Sequence, residues 1–236
     1  MDAKQVTSMA VALFAKAPRP GYVKTRLQPP LTPEEAAALH RAFSADSWER
    51  LQLLPGVTPY FYTDEIWDIS HRLPGNPQAR LQRGDDLGAR MFHCLEYLHR
   101  AGHQLSMIVG SDSPSLPLDY LVQGFQMLCE CDAVLGPAGD GGFYAVGCRL
   151  PRAGMFRGVS WSTPNALDET LAAFGRVGLP TQLMPPWYDV DTLSDLRRLA
   201  GEPQLPRHTQ AWIAAHAARI APAESWLSQT TSSRKP

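Results

Sequence analysis

The chain has little of one charge and few cysteines. Its 22 Lys and Arg stand against 23 Asp and Glu, a formal net charge of -1. No global positive field draws it to nucleic acid or to an anionic membrane, so any anion it binds is held by a local cluster of cations. The four cysteines are Cys94, Cys129, Cys131 and Cys148, and their spacing matches neither a redox CxxC nor a zinc knuckle. Each lies in an apolar stretch and reads as an ordinary buried thiol, which suits a reducing cytoplasm. No apolar run approaches the length of a bilayer span. The opening MDAKQVTSMAVALFAKAP reads as a strand, not a secretory signal, because its apolar run is short and meets Lys16. There is no GxxxxGK[ST] loop and no Gly-x-Ser-x-Gly elbow. None of the seven histidines (His40, His71, His93, His99, His103, His208, His216) stands at ligand spacing from a Cys or Glu. They read as surface or helix residues.

What is present is a hydrophobic fraction of 44%, enough for a real core, with strand and helix signals in alternation. Met9 to Ala15 is an apolar run followed by turn chemistry. Thr32 with Glu35 makes a capping box, Pro33 takes the first helical position, and a helix runs to about Leu54. VTPYFYTD and ARLQ read as strands, and a helix follows through about Arg100. LSMIVG is the clearest buried strand, and a helix starts near Leu118. DAVLGPA, the segment after DGGFYAVG begins, and LPTQLM are further strands. Helices fall at Thr163 to Val177 and after Asp189-Val190-Asp191-Thr192, where one of the aspartates is expected to be the N-cap. Such alternation predicts an α/β fold with a mostly parallel sheet covered on both faces. With no internal repeat or linker, one domain is expected over 1–201. A helical appendage centred on HTQAWIAAHAARIA and a frayed tail, SQTTSSRKP, occupy 202–236. Trp187, Trp212 and Trp226 either pack a terminal helix or form an interface.

Five constellations carry chemistry, and each has a plainer structural reading. Lys16, Arg19, Lys24 and Arg26, with Gly21, fall in a loop directly after the first strand, where ligands of open α/β sheets collect. They suit a di- or triphosphate, or are simply a solvated basic loop. Asp112, in Ser111-Asp112-Ser113-Pro114 at the tip of a buried strand, is either a turn aspartate or a hard oxygen ligand for Mg²⁺ or Mn²⁺ shared with phosphates. Asp140-Gly141-Gly142 is a hairpin turn or a site of close backbone approach. Of Asp189 and Asp191, one reads as an N-cap and the other as a possible second metal ligand. Trp161-Ser162-Thr163-Pro164 either lines an acceptor pocket or caps a helix.

Together and in this order, FAKAPRPGYVKTRL, RGDDLGARM, IVGSDSPSLP, VLGPAGDGGFYAVG, WSTPNALDETL and DVDTLSDL resemble a bacterial glycosyltransferase-A-type family often labelled nucleotide-diphospho-sugar transferase. Some of its members are associated with arsenosugar biosynthesis. More distantly the motifs are similar to molybdenum-cofactor and phospholactate guanylyltransferases. The resemblance covers about Met9 to Ala200. It implies a Rossmann-like GT-A fold with a mixed, mostly parallel sheet, a nucleotide in the first half and an acceptor in the second. Lys16, Arg19, Gly21, Lys24 and Arg26 then fall on the phosphate-binding loop, and Gln82, Gly84, Asp85, Leu87 and Gly88 on the segment facing the base. Asp112 matches the metal-binding aspartate, with Asp191 as a second ligand. Asp140, Gly141, Gly142, Trp161, Ser162 and Thr163 lie at the acceptor. Two departures stand out: Tyr22 where relatives carry a small or basic residue, and Ser-Asp-Ser in place of the Asp-x-Asp of many sugar transferases.

The expected chemistry is glycosyl transfer from a nucleotide-sugar to a small acceptor. The metal, Lys24 and Arg26 would neutralise the departing diphosphate, and Asp140 would orient or deprotonate the acceptor hydroxyl. The alternative is nucleotidyl transfer with release of pyrophosphate, which the same cations would serve. A catalytically silent nucleotide-binding protein is the third reading. None of the three involves nucleic acid or a membrane span.

Overall fold

The computed structural model describes residues 7–67, 73, 75 and 77–221. His71, Trp226 and the tail from Ser228 lie outside the described residues. Seven strands form one sheet: β1 (Met9–Ala15), β2 (Val57–Thr63), β3 (Ala79–Leu81), β4 (Leu105–Gly110), β5 (Ala133–Pro137), β6 (Phe143–Cys148) and β7 (Thr181–Leu183). Their spatial order is β3-β2-β1-β4-β6-β5-β7. Every pairing is parallel except those of β6, which runs antiparallel to both β4 and β5. This is the Rossmann-like, mixed but mostly parallel sheet that the alternation and the motifs imply.

The helices are α1 (Pro33–Leu51), α2 (Leu87–Arg100), α3 (Leu118–Met127), α4 (Ala166–Arg176), α5 (Leu193–Ala200), α6 (Arg207–Ala215) and α7 (Ala217–Ile220). Strand β1 explains why both faces need cover. Its residues alternate between two cores, and all but Met9 are buried. Val11, Leu13 and Ala15 pack with Trp48 of α1 and Leu121 and Phe125 of α3. Ala10, Ala12 and Phe14 pack with Leu95 and Leu98 of α2 and Phe174 of α4. A fully apolar run with no polar face is what a central parallel strand requires.

Helix α1 is buried on two sides. Besides its sheet face, Ala36, Leu39 and Phe43 form a third core with Leu196 and Leu199 of α5, Trp212 of α6 and Ile220 of α7. Trp212 is therefore a packing residue of the C-terminal helices. Asp46, 1% exposed, ties this layer down. Its carboxylate accepts from the backbone N–H of His208 (2.9 Å) and Thr209 (2.7 Å). Helix α6 starts after Pro206 with no side-chain cap of its own, so a buried anion from α1 satisfies its free amides and faces the positive end of its dipole.

Three local expectations are corrected. The cap of α5 is Thr192, boxed with Asp195, and neither Asp189 nor Asp191. The threonine hydroxyl reaches the N3 amide at the required distance, while both aspartates are drawn toward other partners. Cys129 is exposed, because it lies on the turn that leaves α3 for solvent; the other three thiols are buried. His103 is buried in the loop after α2 and is neither a surface nor a helix residue, while His40 is a helix residue of α1, buried there. His103 bridges Ser8 and Tyr60 at 2.9 Å each. No helix among the described residues is long and apolar enough to cross a membrane.

Asp46→Ala leaves two buried amides without an acceptor. It is expected to lower unfolding free energy by about 1–3 kcal/mol, read by urea denaturation, and to speed amide exchange in α6 before the sheet. Equal protection of α6 in the variant and the parent would contradict this anchoring role.

Candidate functional site

Strands β1 and β4 are neighbours and end at the same edge of the sheet, so the segments leaving them meet. After β1 the chain turns at Arg19–Tyr22, with Gly21 at φ +80°. Its backbone is tied to the segment after β2, where Ala17 N–H donates to Asp64 Oδ1 (2.7 Å) and Arg19 pairs with Glu65 at 3.0 Å. Lys24 then adopts a left-handed conformation (φ 50°, ψ 38°) just before a single 3₁₀ turn, Thr25–Leu27. That conformation is disfavoured for a residue with a Cβ. It is offset here by what it allows: the Lys24 side chain turns inward and is only 3% exposed.

The Lys24 ammonium is saturated. It donates to Val190 O (2.8 Å) and Asp191 Oδ1 (3.0 Å) and lies 2.5 Å from Asp112 Oδ1. An ammonium has three N–H donors, and three oxygens surround this one. Asp112 is positioned from both sides: Ser111 N–H donates to Phe14 O of β1, and Val190 N–H donates to Asp112 O. His40 of α1 completes the floor. One ring nitrogen lies 3.0 Å from Lys16 O, and Nδ1 is 3.7 Å from Asp112 Oδ1. Arg26 reaches Asp191 Oδ2 at 3.8 Å from the exposed side.

These contacts set the charges. Burial works to raise the Asp112 carboxyl, but Lys24 and then His40 outweigh it and hold the group well below the usual carboxylate range. Burial works to lower the Lys24 ammonium, and Asp112 and Asp191 reverse that, so it is raised and stays charged. Asp189 behaves oppositely. Burial, helped by the Asp112 charge, pushes its carboxyl up to about 6 despite a 2.5 Å hydrogen bond from Ser113 Oγ. The site therefore combines a permanent carboxylate, a permanent ammonium and a carboxyl that holds its proton more readily than is usual.

The pocket over this cluster encloses about 180 Å³ and is lined by Lys16, Tyr22, Lys24, Arg26, His40, Asp112 and Asp191, among others. Of the expected phosphate-loop residues, Lys16, Lys24 and Arg26 converge there. Arg19 and Gly21 do not line it. Arg19 instead lies over the Tyr22 ring, 4.3 Å from its centre. The Tyr22 departure thus holds an arginine out of the pocket while lending the pocket one aromatic wall. The donor set suits a hard cation: Asp112 and Asp191 keep 44% and 36% of their side chains exposed, and every acidic donor is oxygen.

The second group assembles apart from this pocket. Asp140 sits exposed on the β5–β6 hairpin and accepts from Gly142 N–H (3.0 Å). Gly141 has φ +86°, and a Cβ there would collide with the backbone carbonyl of Pro164. Leu167 N–H donates to Gly141 O (2.9 Å). The Asp-Gly-Gly turn and the Trp161–Pro164 segment are therefore packed together, with Ser162 left-handed at φ 62°. Trp161 meets Phe143 and Phe156. It also lies so close to Gly88 that a Cβ there would sit 2.7 Å from its ring. Gly88 is the second residue of α2, whose cap is Asp86. Gln82 lies alongside, its amide 3.5 Å from Ala15 O and 3.4 Å from Tyr62 O. Gly84 lies against α2's first turn, Asp85 is exposed and Leu87 is 42% exposed. So Gln82–Gly88 joins the end of β1 to the Trp161 segment.

Two residues at the cluster escape a reading by motif. His40 shares the buried face of α1 with Leu39 and Phe43, and only its 24-residue reach back to Lys16 reveals it. Asp189 is recognised by its partner Ser113, 76 residues away in sequence. The single available signal is the paired aspartates of Asp-Val-Asp.

Lys24→Met would leave Asp112 and Asp191 facing each other without the ammonium between them. A loss of about 3–5 kcal/mol is expected. Asp112→Asn added to Lys24→Met should recover part of it, giving a coupling energy well above the scatter of a double-mutant cycle. Strict additivity would show that the ammonium and the carboxylate do not interact.

The chain is 30% identical to a Desulfovibrio desulfuricans G20 protein provisionally described as a nucleotide-diphospho-sugar transferase. The match covers 91% of this chain and 97% of that one, with a TM-score of 0.82. More distant folds include CMP:2-keto-3-deoxy-manno-octonic acid synthetase solved with CTP (13% identical, TM-score 0.50, 81% of this chain and 96% of that one). Another is 4-diphosphocytidyl-2C-methyl-D-erythritol synthase from Anaerococcus prevotii DSM 20548 (10% identical, TM-score 0.50, 80% and 94%). At such identities the likeness is one of fold. No curated protein matches. A family model described as an uncharacterized protein conserved in bacteria (DUF2064) matches residues 41–163, more than half of the chain, and this protein belongs to that family.

Proposed function

We propose that the chain is a metal-dependent transferase of the cytoplasm that moves a glycosyl group from a nucleotide-diphospho-sugar to a small acceptor. The observation that carries this reading is the convergence of Lys16, Lys24 and Arg26 with Asp112 and Asp191 in one pocket at the ends of β1 and β4. Mg²⁺ or Mn²⁺ held by Asp112 and Asp191 would supply charge neutralisation of the diphosphate.

The chain's own residues divide the remaining work. Lys24 has spent its donors on Asp112, Asp191 and Val190, so its part is to hold the two carboxylates apart and aimed at the pocket. Lys16 and Arg26, at the rim, keep donors for the phosphate oxygens. Arg19 and Gly21 shape the turn that brings these cations round. Gln82, Gly84, Asp85, Leu87 and Gly88 face the base. Asp140, Gly141, Gly142, Trp161, Ser162 and Thr163 form the acceptor side. The contact between Gly88 and Trp161 supports this arrangement, because it sets the acceptor side directly against the base-facing segment. During transfer the bond from the sugar to the diphosphate breaks, a bond to the acceptor hydroxyl forms, and Asp140 orients or receives the hydroxyl proton.

Nucleotidyl transfer is the second reading. It is favoured by the single carboxylate of Ser111-Asp112-Ser113, which departs from the paired aspartates of many sugar transferases. Product analysis separates the two. Glycosyl transfer releases a nucleoside diphosphate from a nucleotide-sugar, whereas pyrophosphate released from a triphosphate would sink that reading.

A thermal-shift screen of nucleotides with and without Mn²⁺ is expected to find one base whose diphosphate or diphospho-sugar stabilises the chain only when metal is present. Stabilisation reaches about 2.7 kcal/mol at a hundred times Kd. A screen with no metal-dependent response would count against both transfer readings and leave a silent binding protein. In the assay that responds, Asp112→Asn is expected to lower kcat by about 10²–10³-fold, the scale for losing one transition-state charge contact.

A further inference from the structure

In the first half of the chain, α2 and the edge strand β3 flank Tyr62 of β2 and leave open space between them. The result is a groove of about 670 Å³, the size of a small-molecule site and larger than the Lys24 pocket. Its floor is Tyr62 and Ala79, and Ile66 and Leu81 stand exposed at its wall (58% and 46%).

The groove is unusual for its charge. Arg80, Arg83, Arg90 and Arg100 line it, and among the described residues its one acidic lining residue, Glu96, is already bound by Arg100 at 2.9 Å. Among the described residues, three guanidiniums are thus left without a counter-ion in a chain whose net charge is -1. Arg80 and Arg83 have no hydrogen-bond or ion-pair partner among the described residues. This contrasts with Arg19, Arg26, Arg152, Arg207 and Arg219, each of which meets a carboxylate.

The cations are also held in place. The Arg80 guanidinium lies over Tyr97 at 4.5 Å and Tyr60 at 5.5 Å from the ring centres, which fixes its plane at little entropic cost on binding. Arg90 Nε donates to Gly84 O (3.2 Å), and one His93 ring nitrogen lies 2.8 Å from Arg83 O. The groove wall and the Gln82–Gly88 segment are one hydrogen-bonded unit.

We infer that this groove is a second anion site, distinct from the Lys24 pocket, that takes a phosphate-bearing small molecule. Planar guanidiniums match phosphate oxygens in pairs, and three of them call for more than one negative charge. The apolar wall suits a ring or a sugar attached to the phosphate. The site stands on its own residues and does not depend on the transfer reaction proposed above.

The test is isothermal titration of the full chain with inorganic pyrophosphate in about 0.15 M salt, where remote surface charge is screened, without divalent metal. Arg80→Gln with Arg83→Gln is expected to remove one class of sites, or to weaken it more than tenfold, at an unchanged thermal midpoint. Arg83→Gln alone, at an exposed position, should weaken it several-fold and guards against misfolding of the double variant. Arg26→Gln should leave this class intact, so failure of the Lys24 pocket to bind is told apart from failure here. Titration with a nucleoside diphosphate names the source. Affinity above that of pyrophosphate, lost in the double variant, assigns a nucleotide; equal affinity assigns an inorganic or sugar phosphate. Wild-type pyrophosphate binding in the double variant would overturn the proposal, as would no pyrophosphate binding that the arginines affect.

Discussion

One buried ammonium organises the centre of this protein. Lys24 joins three stretches that are far apart in sequence: its own loop after β1, the tip of β4 at Asp112, and the 189–191 segment that precedes α5. Removing a charge from water is expensive, and the cost is recovered only where geometry is good on all sides. Three oxygens around one ammonium meet that condition, and a strained backbone at Lys24 is accepted to reach it. The same contacts keep Asp112 ionised, while burial, with help from the Asp112 charge, raises the neighbouring Asp189.

This arrangement changes how a basic loop is read. Four cations after a buried strand suggest four equivalent hands for a phosphate. In the folded chain they are unequal. Lys24 is turned inward and fully engaged, Arg19 is stacked on Tyr22 and paired with Glu65, and Lys16 and Arg26 face the pocket. Loop composition reports the sum of positive charge, but only tertiary partners report which charges are already spent.

The fold was legible because its signals are local and repeated. Apolar runs such as Met9–Ala15 and Leu105–Gly110 can be satisfied only as strands covered on both faces, and the Thr32/Glu35 box marks the start of α1 from four residues. The antiparallel course of β6 and the edge position of β3 were not legible, since they depend on how strands pair and not on what they contain. In the site, Asp112 stood out because it follows the clearest buried strand. His40 and Asp189 did not, because their partners, Lys16 and Ser113, lie 24 and 76 residues away. Asp46 escaped notice for the same reason: a carboxylate that caps another helix leaves no trace in its own neighbourhood.

The reversed strand β6 has a consequence of its own. Because β6 runs against its neighbours, β5 and β6 are joined by a tight hairpin whose tip, at Asp140, emerges at the same edge of the sheet as the Lys24 cluster. A crossover helix would have carried the chain away from that edge; a hairpin returns it at once. The tip is therefore a short module hung on two buried strands, and its shape is fixed where Gly141 meets the backbone of Pro164. A side chain added at that point would push on the segment that carries Trp161, so the hairpin and that segment must change together.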